Sequence, residues 1–289
     1  ACQNLVIDGC TWTSSELNLP VADRESIGFN QNANDLKCRN NFIIRFKHFG
    51  VIGGSGAIIS GNHYFHGDTT PDGIRRGGIV FTTTNVKSFV TGNYIDNNFL
   101  EWTNEYEAEP ENANQFTFGG LTITGNVFTA NDVAPWFNFI VIKPYGPNHS
   151  IRGLSVVGNV FRSISGQITR VDHVDTTFAD LDYTANRNIT FEGNVYDNVL
   201  EPVFNPYRST HVQSTEAQTW VLDLAPNLPF RGNARFVESV TPGAKITKTG
   251  GAQATDFPYV SLNQGSNNDQ MHVTWAEACK GEVSFVARM

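Results

Sequence analysis

Residues 121–128 read LTITGNVF, and residues 154–161 repeat the phrase as LSVVGNVF. In both, a Gly-Asn step separates two short apolar runs. The step recurs with Asn-to-Asn intervals of 31, 33, 33 and 35 residues, at Gly61-Asn62, Gly92-Asn93, Gly125-Asn126, Gly158-Asn159 and Gly193-Asn194. A degenerate earlier copy at residues 5–12 has Cys10 in the asparagine position. A repeat with this period predicts stacked supersecondary units rather than an ordinary globular core.

Each phrase alternates with the period of a β-strand, so Leu121 and Ile123 point to one side while Thr122 and Thr124 point to the other. Gly-Asn supplies a bend, because both residues tolerate left-handed backbone. A second apolar stretch usually follows, at residues 78–81, 99–102, 137–142, 167–171 and 203–204. This cycle predicts an all-β fold: a right-handed parallel β-helix whose five asparagines stack in one column.

A β-propeller is the main alternative fold, because its blades have repeats of similar length. Propeller blades need hairpin turns, and this repeat lacks Asn-Gly or Asp-Gly steps at hairpin spacing. Helical periodicity with matching caps is almost absent from the chain. The pattern therefore favours the β-helix.

The repeat divides the chain into two parts. Residues 1–228 are predicted to form the solenoid, with an irregular insertion at residues 13–40 and protruding loops at residues 67–73 and 105–111. The chain opens inside a coil, so we interpret it as a fragment that lacks N-terminal coils. Residues 229–289 contain strand-like runs without the repeat, and we expect a small C-terminal β cap or module. An independent carbohydrate-binding domain is the alternative.

Composition limits the function classes. The chain has 289 residues, of which 17% are charged, and its net charge is −8, which argues against a nucleic-acid partner. No apolar run approaches the length of a membrane span. The cysteines match no metal-ligand spacing, and Cys10 is expected to be a small buried residue. We expect no cofactor and no metal site.

The Gly-Asn phrases resemble those of the pectate-lyase-like superfamily of right-handed β-helices. That superfamily includes polysaccharide lyases, polygalacturonase-related glycoside hydrolases and phage tailspikes. The resemblance covers roughly residues 1–225 and implies a polysaccharide partner, an extracellular or virion-surface location and, if the chain is tailspike-like, a homotrimer. The polygalacturonase motifs Asn-Thr-Asp, Asp-Asp, Gly-His-Gly and Arg-Ile-Lys are absent, as is the pectate-lyase Arg-x-Pro-x-x-Arg, so the resemblance names no activity.

One segment has an unusual density of ionisable groups for a solenoid strand. Residues 170–175 read RVDHVD. Glycoside hydrolysis needs two carboxyl groups beside the scissile bond, so we predict Asp172 and Asp175 as the acid–base pair, with His173 also at the catalytic centre and Arg170 binding substrate. The alternative is structural: both aspartates cap a turn and Arg170 forms an ion pair.

Neighbouring coils carry further polar and aromatic groups at comparable places. Aromatic rings suit stacking on sugars, and cations suit the carboxylates of acidic sugars. The predicted substrate-binding residues, besides Arg170, are Glu101, Trp102, Lys143, Tyr145, Tyr207 and Arg208.

The sequence therefore predicts an extracellular protein that cleaves a polysaccharide, which is acidic if the cations bind it, by hydrolysis. One alternative is a lyase acting by β-elimination, in which case Ca²⁺ could be bound by the acidic loop at residues 105–111. The other is a non-catalytic adhesin or tailspike-like receptor-binding protein.

Overall fold

The chain forms two compact units, residues 1–202 and residues 203–289. The structure is a computed structural model that describes residues 3–20, 23, 25–66, 77–104, 116–131 and 134–289. The sequence repeat predicted a boundary after residue 228, but the boundary between the units lies after residue 202. The predicted solenoid is therefore shorter at its C-terminal end, and residues 203–228 belong to the second unit.

The described part of the first unit is built almost entirely from short strands, with 3₁₀ turns at Glu16–Asn18 and Tyr183–Ala185. In chain order the strands are β1 (Val6–Asp8), β2 (Thr11–Thr13), β3 (Ile27–Gln31), β4 (Lys37–Arg39), β5 (Phe42–Ile44), β6 (His48–Ile52), β7 (Ile58–Ser60), β8 (His63–Phe65), β9 (Gly77–Phe81), β10 (Ser88–Thr91), β11 (Tyr94–Asp96), β12 (Phe99–Thr103), β13 (Thr117–Thr124), β14 (Val127–Ala130), β15 (Ile140–Lys143), β16 (Ser150–Val157), β17 (Val160–Ser163), β18 (Asp172–Val174), β19 (Arg187–Glu192) and β20 (Val195–Asp197).

Every third strand belongs to the same parallel sheet. Sheet A runs from β1 to β19, sheet B from β2 to β20 and sheet C from β3 to β18. Three parallel sheets wound in this order make a parallel β-helix, so the predicted fold class is confirmed. The first six coils each contribute one strand to each sheet, and the next contributes β19 to sheet A and β20 to sheet B. The Gly-Asn step is the bend between sheets A and B.

The asparagine column is present as a hydrogen-bonded ladder. The Oδ1 of Asn126 accepts from the backbone nitrogen and the Nδ2 of Asn93, both at 3.0 Å. Its own Nδ2 donates to Oδ1 of Asn159 and to the carbonyl oxygen of Val90, both at 2.9 Å. Each amide thus satisfies buried backbone in its neighbours. The same pattern links Asn41, Asn62, Asn93, Asn126, Asn159 and Asn194.

Asn41 extends the ladder into a coil that the sequence pattern missed. Asn40 replaces the glycine at this bend and adopts φ 55°, a left-handed conformation that asparagine tolerates. This bend therefore lacks the Gly-Asn sequence that marks the other bends. The expectation of an irregular insertion at residues 13–40 was wrong in part, because β3 and β4 lie there and pair with β6 and β7.

Cys10 begins the ladder, since its backbone nitrogen donates to Oδ1 of Asn41 at 2.9 Å. Its side chain is partly exposed rather than buried, contrary to the expectation from the sequence. Cys10, Cys38 and Cys279 are free thiols, while Cys2 lies outside the described residues. Burial raises the pKa of the Cys38 thiol to about 12, so it is an unreactive core residue.

The core consists of residues that stack in register from coil to coil. On sheet A, Ile59, Val90, Ile123, Val156 and Phe191 pair in sequence along the column, and all five are fully buried. Their positions alternate with outward residues, such as Thr122 and Thr124 on β13, as the strand period predicts. Burying such side chains supplies roughly 1.5–3 kcal/mol each relative to exposure.

Sheet C decides which way the predicted site residues face. Leu100, Ile140 and Asp172 share one register, and all three point inward and are buried. The next residue of each strand, which is His173 on β18 and Glu101 on β12, points outward. A change of one residue in register exchanges the two faces.

The second unit is an antiparallel sheet, with a 3₁₀ turn at Pro229–Arg231. Its strands are β21 (Tyr207–Asp223), β22 (Phe236–Pro242), β23 (Thr247–Lys248), β24 (Tyr259–Gln264) and β25 (Gln270–Arg288). The long β25 pairs with all the others. In the described part of the chain, no helix has the length and apolarity needed to cross a membrane.

Candidate functional site

Four of the predicted site residues gather on the outer side of the first unit, around the ends of β15 and β18. Lys143 is the last residue of β15, and Tyr145 follows two residues later. On the next coil His173 points outward from β18, and the backbone nitrogen of Asp175 donates to the carbonyl oxygen of Ile142 at 2.8 Å. The continued pairing holds the two chain segments side by side beyond their strands.

An aromatic pair lies at the centre of this site. The rings of Tyr145 and Phe178 stack with centroids 4.1 Å apart and planes inclined by 19°. Phe178 remains 59% exposed despite this contact. The Nζ of Lys143 lies 5.4 Å from the Tyr145 ring centre and 5.5 Å from that of Phe178, within the range of a cation–π interaction. We call the side chains of Tyr145 and Phe178 the aromatic platform.

A shallow depression of about 640 Å³ adjoins the platform. It is formed by loops of two successive coils, residues 145–148 and residues 178–182. The loops are fastened together where the backbone nitrogen of Asp182 donates to the carbonyl oxygen of His149 at 2.7 Å. Asp180 and Asp182 are among the residues that line the depression. The Oδ1 of Asp180 accepts from the backbone nitrogen of Leu181 at 2.7 Å, and that of Asp182 from the backbone nitrogen of Thr184 at 2.9 Å. A carboxylate has further acceptor capacity for a hydroxyl group.

Buried polar residues fix the loop that carries Tyr145. Asn104 is fully buried, and its Oδ1 accepts from the backbone nitrogen of Tyr145 at 2.8 Å. Its Nδ2 lies 2.8 Å from Nε2 of His149, whose Nδ1 lies 3.1 Å from the carbonyl oxygen of Pro147. Because a carbonyl only accepts, His149 carries its proton on Nδ1 and accepts from Asn104 on Nε2. Burial lowers the pKa of His149, which keeps this neutral form.

Asp175 and His173, which lie near the platform, differ in charge near neutral pH. For Asp175, burial by itself would raise the pKa, but hydrogen bonds from the side chain and backbone of Thr177 and the nearby charge of Lys143 outweigh it, so the pKa lies below its usual value. Burial lowers the pKa of His173 despite the attraction of Asp175. Asp175 is therefore ionised, and His173 is neutral.

Arg170 and Asp172 are not at the surface. Their side chains are 6% and 0% exposed, and the Nε and Nη2 of Arg170 both lie 2.9 Å from Oδ1 of Asp172. The Nη1 of Arg170 also lies 3.3 Å from Oε2 of Glu201. Asp172 occupies an inward position, so its charge needs a buried cation. This geometry corresponds to the ion-pair alternative, and it separates Asp172 from the outward-facing Asp175.

Trp102 and Glu101 take positions away from the platform. Trp102 is 3% exposed, and its Nε1 donates to the carbonyl oxygen of Thr83 at 2.9 Å, so its ring is not available for stacking on a ligand. The predicted role of Trp102 as a sugar platform is corrected accordingly. Glu101 also faces outward, but its side chain lies over Gly77 of β9. A Cβ placed on Gly77 would be 2.8 Å from Oε2 of Glu101. Since β9 and β15 lie on opposite sides of β12, Glu101 points away from the platform.

Tyr207 and Arg208 belong to the second unit, at the start of β21. The sequence predicted them on a further coil, but they pair antiparallel with Ala287 and Val286 of β25. They therefore continue no column of the solenoid.

No group of three or more His, Cys, Asp or Glu side chains suited to a metal ion occurs among the residues that the structure describes. The loop proposed for Ca²⁺ lies at residues 105–111, outside the described residues.

Phe178, Asn104 and His149 were not predicted as site residues. Phe178 stands in a polar segment that reads DTTFAD at residues 175–180, and an aromatic residue in such a loop was a usable signal. Asn104 and His149 gave none, because the contacts of Asn104 with Tyr145 and with His149 span 41 and 45 residues of the chain.

Comparison with known proteins yields similarities to solved structures alone. No protein family matches the sequence, and no curated protein matches it. The tailspike gp61 of Pseudomonas phage phi297 shares 12% identity and a TM-score of 0.25, with 98% of this chain and 63% of the tailspike covered. The Gp54 tailspike of Acinetobacter baumannii bacteriophage AP22, solved in complex with capsular saccharide, shares 10% identity and a TM-score of 0.22, with 90% and 60% covered. The chain thus spans less than two thirds of either tailspike.

Proposed function

We propose that this protein binds a polysaccharide on the outer face of its β-helix, and that the aromatic platform is the centre of the binding site. The observation that carries the proposal is the stacking of Tyr145 on Phe178 beside an open depression, with Phe178 still more than half exposed. Aromatic residues are enriched at binding surfaces, and here two of them stack beside a depression.

The chemistry around the platform suits a sugar. The C–H face of a pyranose packs on an aromatic ring, while its hydroxyl groups need acceptors and donors at the edge. Asp180 and Asp182 provide acceptors, and Lys143 provides a donor held against both rings. The site is open rather than enclosed, which fits a segment of a long polymer better than a small molecule that must be engulfed.

Two observations argue against cleavage by the predicted pair, Asp172 and Asp175, and so favour binding as the function. Asp172 is sealed inside the coil, and hydrolysis by that pair would need its carboxyl group at the scissile bond. A general acid also needs a raised pKa, whereas the pKa of Asp175 is lowered. We therefore propose binding as the function, at an extracellular or virion surface where polysaccharide is met. Hydrolysis and β-elimination become outcomes of the experiment.

The experiment is affinity electrophoresis of the full chain through gels that contain one polysaccharide each, both neutral and acidic. We expect at least one polymer to retard the protein, and Tyr145→Ala and Phe178→Ala each to weaken that retardation by at least about tenfold. Phe89→Ala is the matched control, because Phe89 is 49% exposed on sheet A, away from the depression. Equal weakening in the control, or none in the two variants, contradicts the proposal.

Cleavage is assayed on the same polymers. New reducing ends alone would mean hydrolysis, and new ultraviolet absorbance of an unsaturated uronate would mean elimination. Either product from the wild-type chain would replace binding with catalysis as the function of the site.

A further inference from the structure

The second unit displays two almost fully exposed aromatic side chains close together in sequence. Phe257 is 82% exposed and Tyr259 is 73% exposed. Pro258, between them, is buried. An extended run places residues i and i+2 on the same side, so a buried proline between two exposed rings presents both rings to solvent. Proline also restricts the residue before it to extended backbone, which reduces the freedom of Phe257.

The fold holds Tyr259 away from the core of the sheet. Val260 pairs with Val273 of β25, which is fully buried, and so marks the core face. Tyr259 pairs with Thr274, on the opposite face. Because the side chains of a strand alternate, Tyr259 cannot turn inward without a shift in register that would expose Val260. Its exposure is a consequence of the sheet rather than of a loose loop.

Both rings border a depression of about 650 Å³ between β22 and β24. This volume is within the usual range for ligand sites, roughly 300–1,000 Å³. The polar side chains that line it are hydroxyls, amides and one carboxylate: Ser239, Ser261, Asn263, Gln264 and Glu238. Rings beside hydroxyl and amide groups provide an apolar surface and hydrogen-bonding groups together, as a sugar requires.

The charges of the depression select the type of sugar. Glu238 is the sole carboxylate among the lining residues, and it forms an ion pair with Arg288. No lysine, arginine or histidine is among the lining residues. The lining therefore offers no cluster of cations for an anionic ligand. This differs from the aromatic platform of the first unit, where Lys143 stands over both rings.

Bulges disfavour the other obvious occupant, an added β-strand. β22 pairs with β25 irregularly between Val237 and Ser239, and β24 does so between Ser261 and Gln264. Asn263, within the second irregularity, has φ 55°. Bulges interrupt the regular row of backbone groups that an incoming strand would need, including a strand from a second copy of the chain.

We propose that the depression between β22 and β24 is a second glycan-binding site, which takes neutral sugars through Phe257 and Tyr259. The proposal does not rest on the function proposed for the first unit. It assigns to the second unit its own contact with carbohydrate, so one polymer or two different polymers engage the same chain.

The test uses the full chain carrying Tyr145→Ala and Phe178→Ala, so that the first site is removed. Affinity electrophoresis is run with dextran, galactomannan, xylan and laminarin as neutral probes, and with polygalacturonate and alginate as acidic ones. We expect a neutral probe to retard this chain. Adding Phe257→Ala or Tyr259→Ala should weaken that retardation by at least about tenfold. Adding Phe236→Ala should leave it unchanged, because Phe236 is 62% exposed on β22 but does not line the depression.

Three results would overturn the proposal. One is that no neutral probe retards the chain. Another is that Phe257→Ala and Tyr259→Ala bind as the background chain does, which leaves the first proposal unaffected. The third is that Phe257→Ala and Tyr259→Ala abolish self-association in sedimentation but leave glycan binding intact. The depression would then be a contact between copies of the chain. The midpoint of thermal unfolding is measured for every variant. A midpoint equal to that of the chain carrying Tyr145→Ala and Phe178→Ala excludes misfolding as the cause of lost binding.

Discussion

Tyr145 and Phe178 are separated by 33 residues, one repeat of the solenoid, and their rings stack at 4.1 Å. The same interval separates Asn126 from Asn159 in the ladder. The aromatic platform joins two successive coils, which lie one strand spacing apart, about 4.8 Å. The two rings are not at strictly equivalent positions, because the register on either side pairs Ile140 with Asp172 and His149 with Leu181. A ligand that contacts both rings contacts two coils at once.

The stacking itself should be measurable as a coupling energy. In a double-mutant cycle of Tyr145→Ala and Phe178→Ala, we expect the free energies of unfolding to be non-additive by about 0.5–1.5 kcal/mol, which is usual for an aromatic pair. Urea unfolding of the four proteins gives the value. A cycle of Tyr145→Ala with Phe89→Ala should be additive, because Tyr145 lies in the loop after β15 and Phe89 lies on sheet A. Additivity in both cycles would mean that the rings do not pack in solution.

Asn126→Ala should lower the free energy of unfolding by about 1–3 kcal/mol. The change removes the acceptor for Asn93 and the donor to Asn159 and Val90, and so leaves buried groups without partners. Thr122→Ala on the same coil is the control, since Thr122 points outward, and it should cost less than about 1 kcal/mol. Chemical denaturation measures both, and equal costs would show that the ladder contributes no special stability.

Asp172→Asn tests whether the predicted catalytic aspartate is structural. It leaves the buried Arg170 guanidinium without its closest anion, so we expect a loss of about 3–5 kcal/mol in unfolding free energy. Asp197→Asn is the matched control, because Asp197 forms a pair with Arg162 at 2.9 Å in which both side chains are half exposed, and it should cost less than about 1 kcal/mol. An Asp172→Asn protein of wild-type stability that loses activity on a polysaccharide would restore the catalytic assignment.

His149 should make stability fall in mild acid. Burial holds its pKa in the folded chain below the value of about 6.5 expected for the unfolded chain. As the pH falls below 6.5, the unfolded chain therefore binds the proton first, and stability is lost toward the lower folded-state pKa. Above 6.5 the contribution is complete. One such group changes the unfolding free energy by at most about 1.4 kcal/mol per pH unit.

His149→Gln should remove that share of the pH dependence, because glutamine does not titrate. Unfolding of the wild-type and variant chains is compared across the range from about pH 7.5 to about pH 5. Parallel stability profiles would show that the imidazole is accessible to protons in the folded chain, against its burial between Asn104 and Pro147.

Much of the first unit was predictable from residues that act locally. Gly-Asn bends and strand-period alternation depend on the backbone preferences of a few neighbouring residues, and their repetition specifies that the coils stack. The ladder from Asn62 to Asn194 follows, because identical amides at identical places meet in register. The coil of Asn40 and Asn41 escaped detection because two residue types satisfy the same left-handed bend.

The antiparallel strand β21 was assigned to the solenoid for a related reason. Alternating apolar and polar residues are compatible with both parallel and antiparallel pairing. The run from Tyr207 to Asp223 therefore gave no sign that it pairs antiparallel with β25. The partner strand that decides the direction lies more than 45 residues away in the sequence.

The site depended on facts that no short segment contains. Asp172 and Asp175 look alike in sequence, but register with Ile140 turns Asp172 inward to Arg170, while Asp175 lies beyond the strand beside Lys143. Side chains of a strand alternate between its two faces, so a shift of one residue in register moves each side chain to the other face. The loops between coils differ in length, and the register therefore cannot be counted from the sequence. The repeat in the sequence determined that coils stack, but only the folded coils determined which side chains are buried in pairs and which, like Tyr145 and Phe178, are displayed to a ligand.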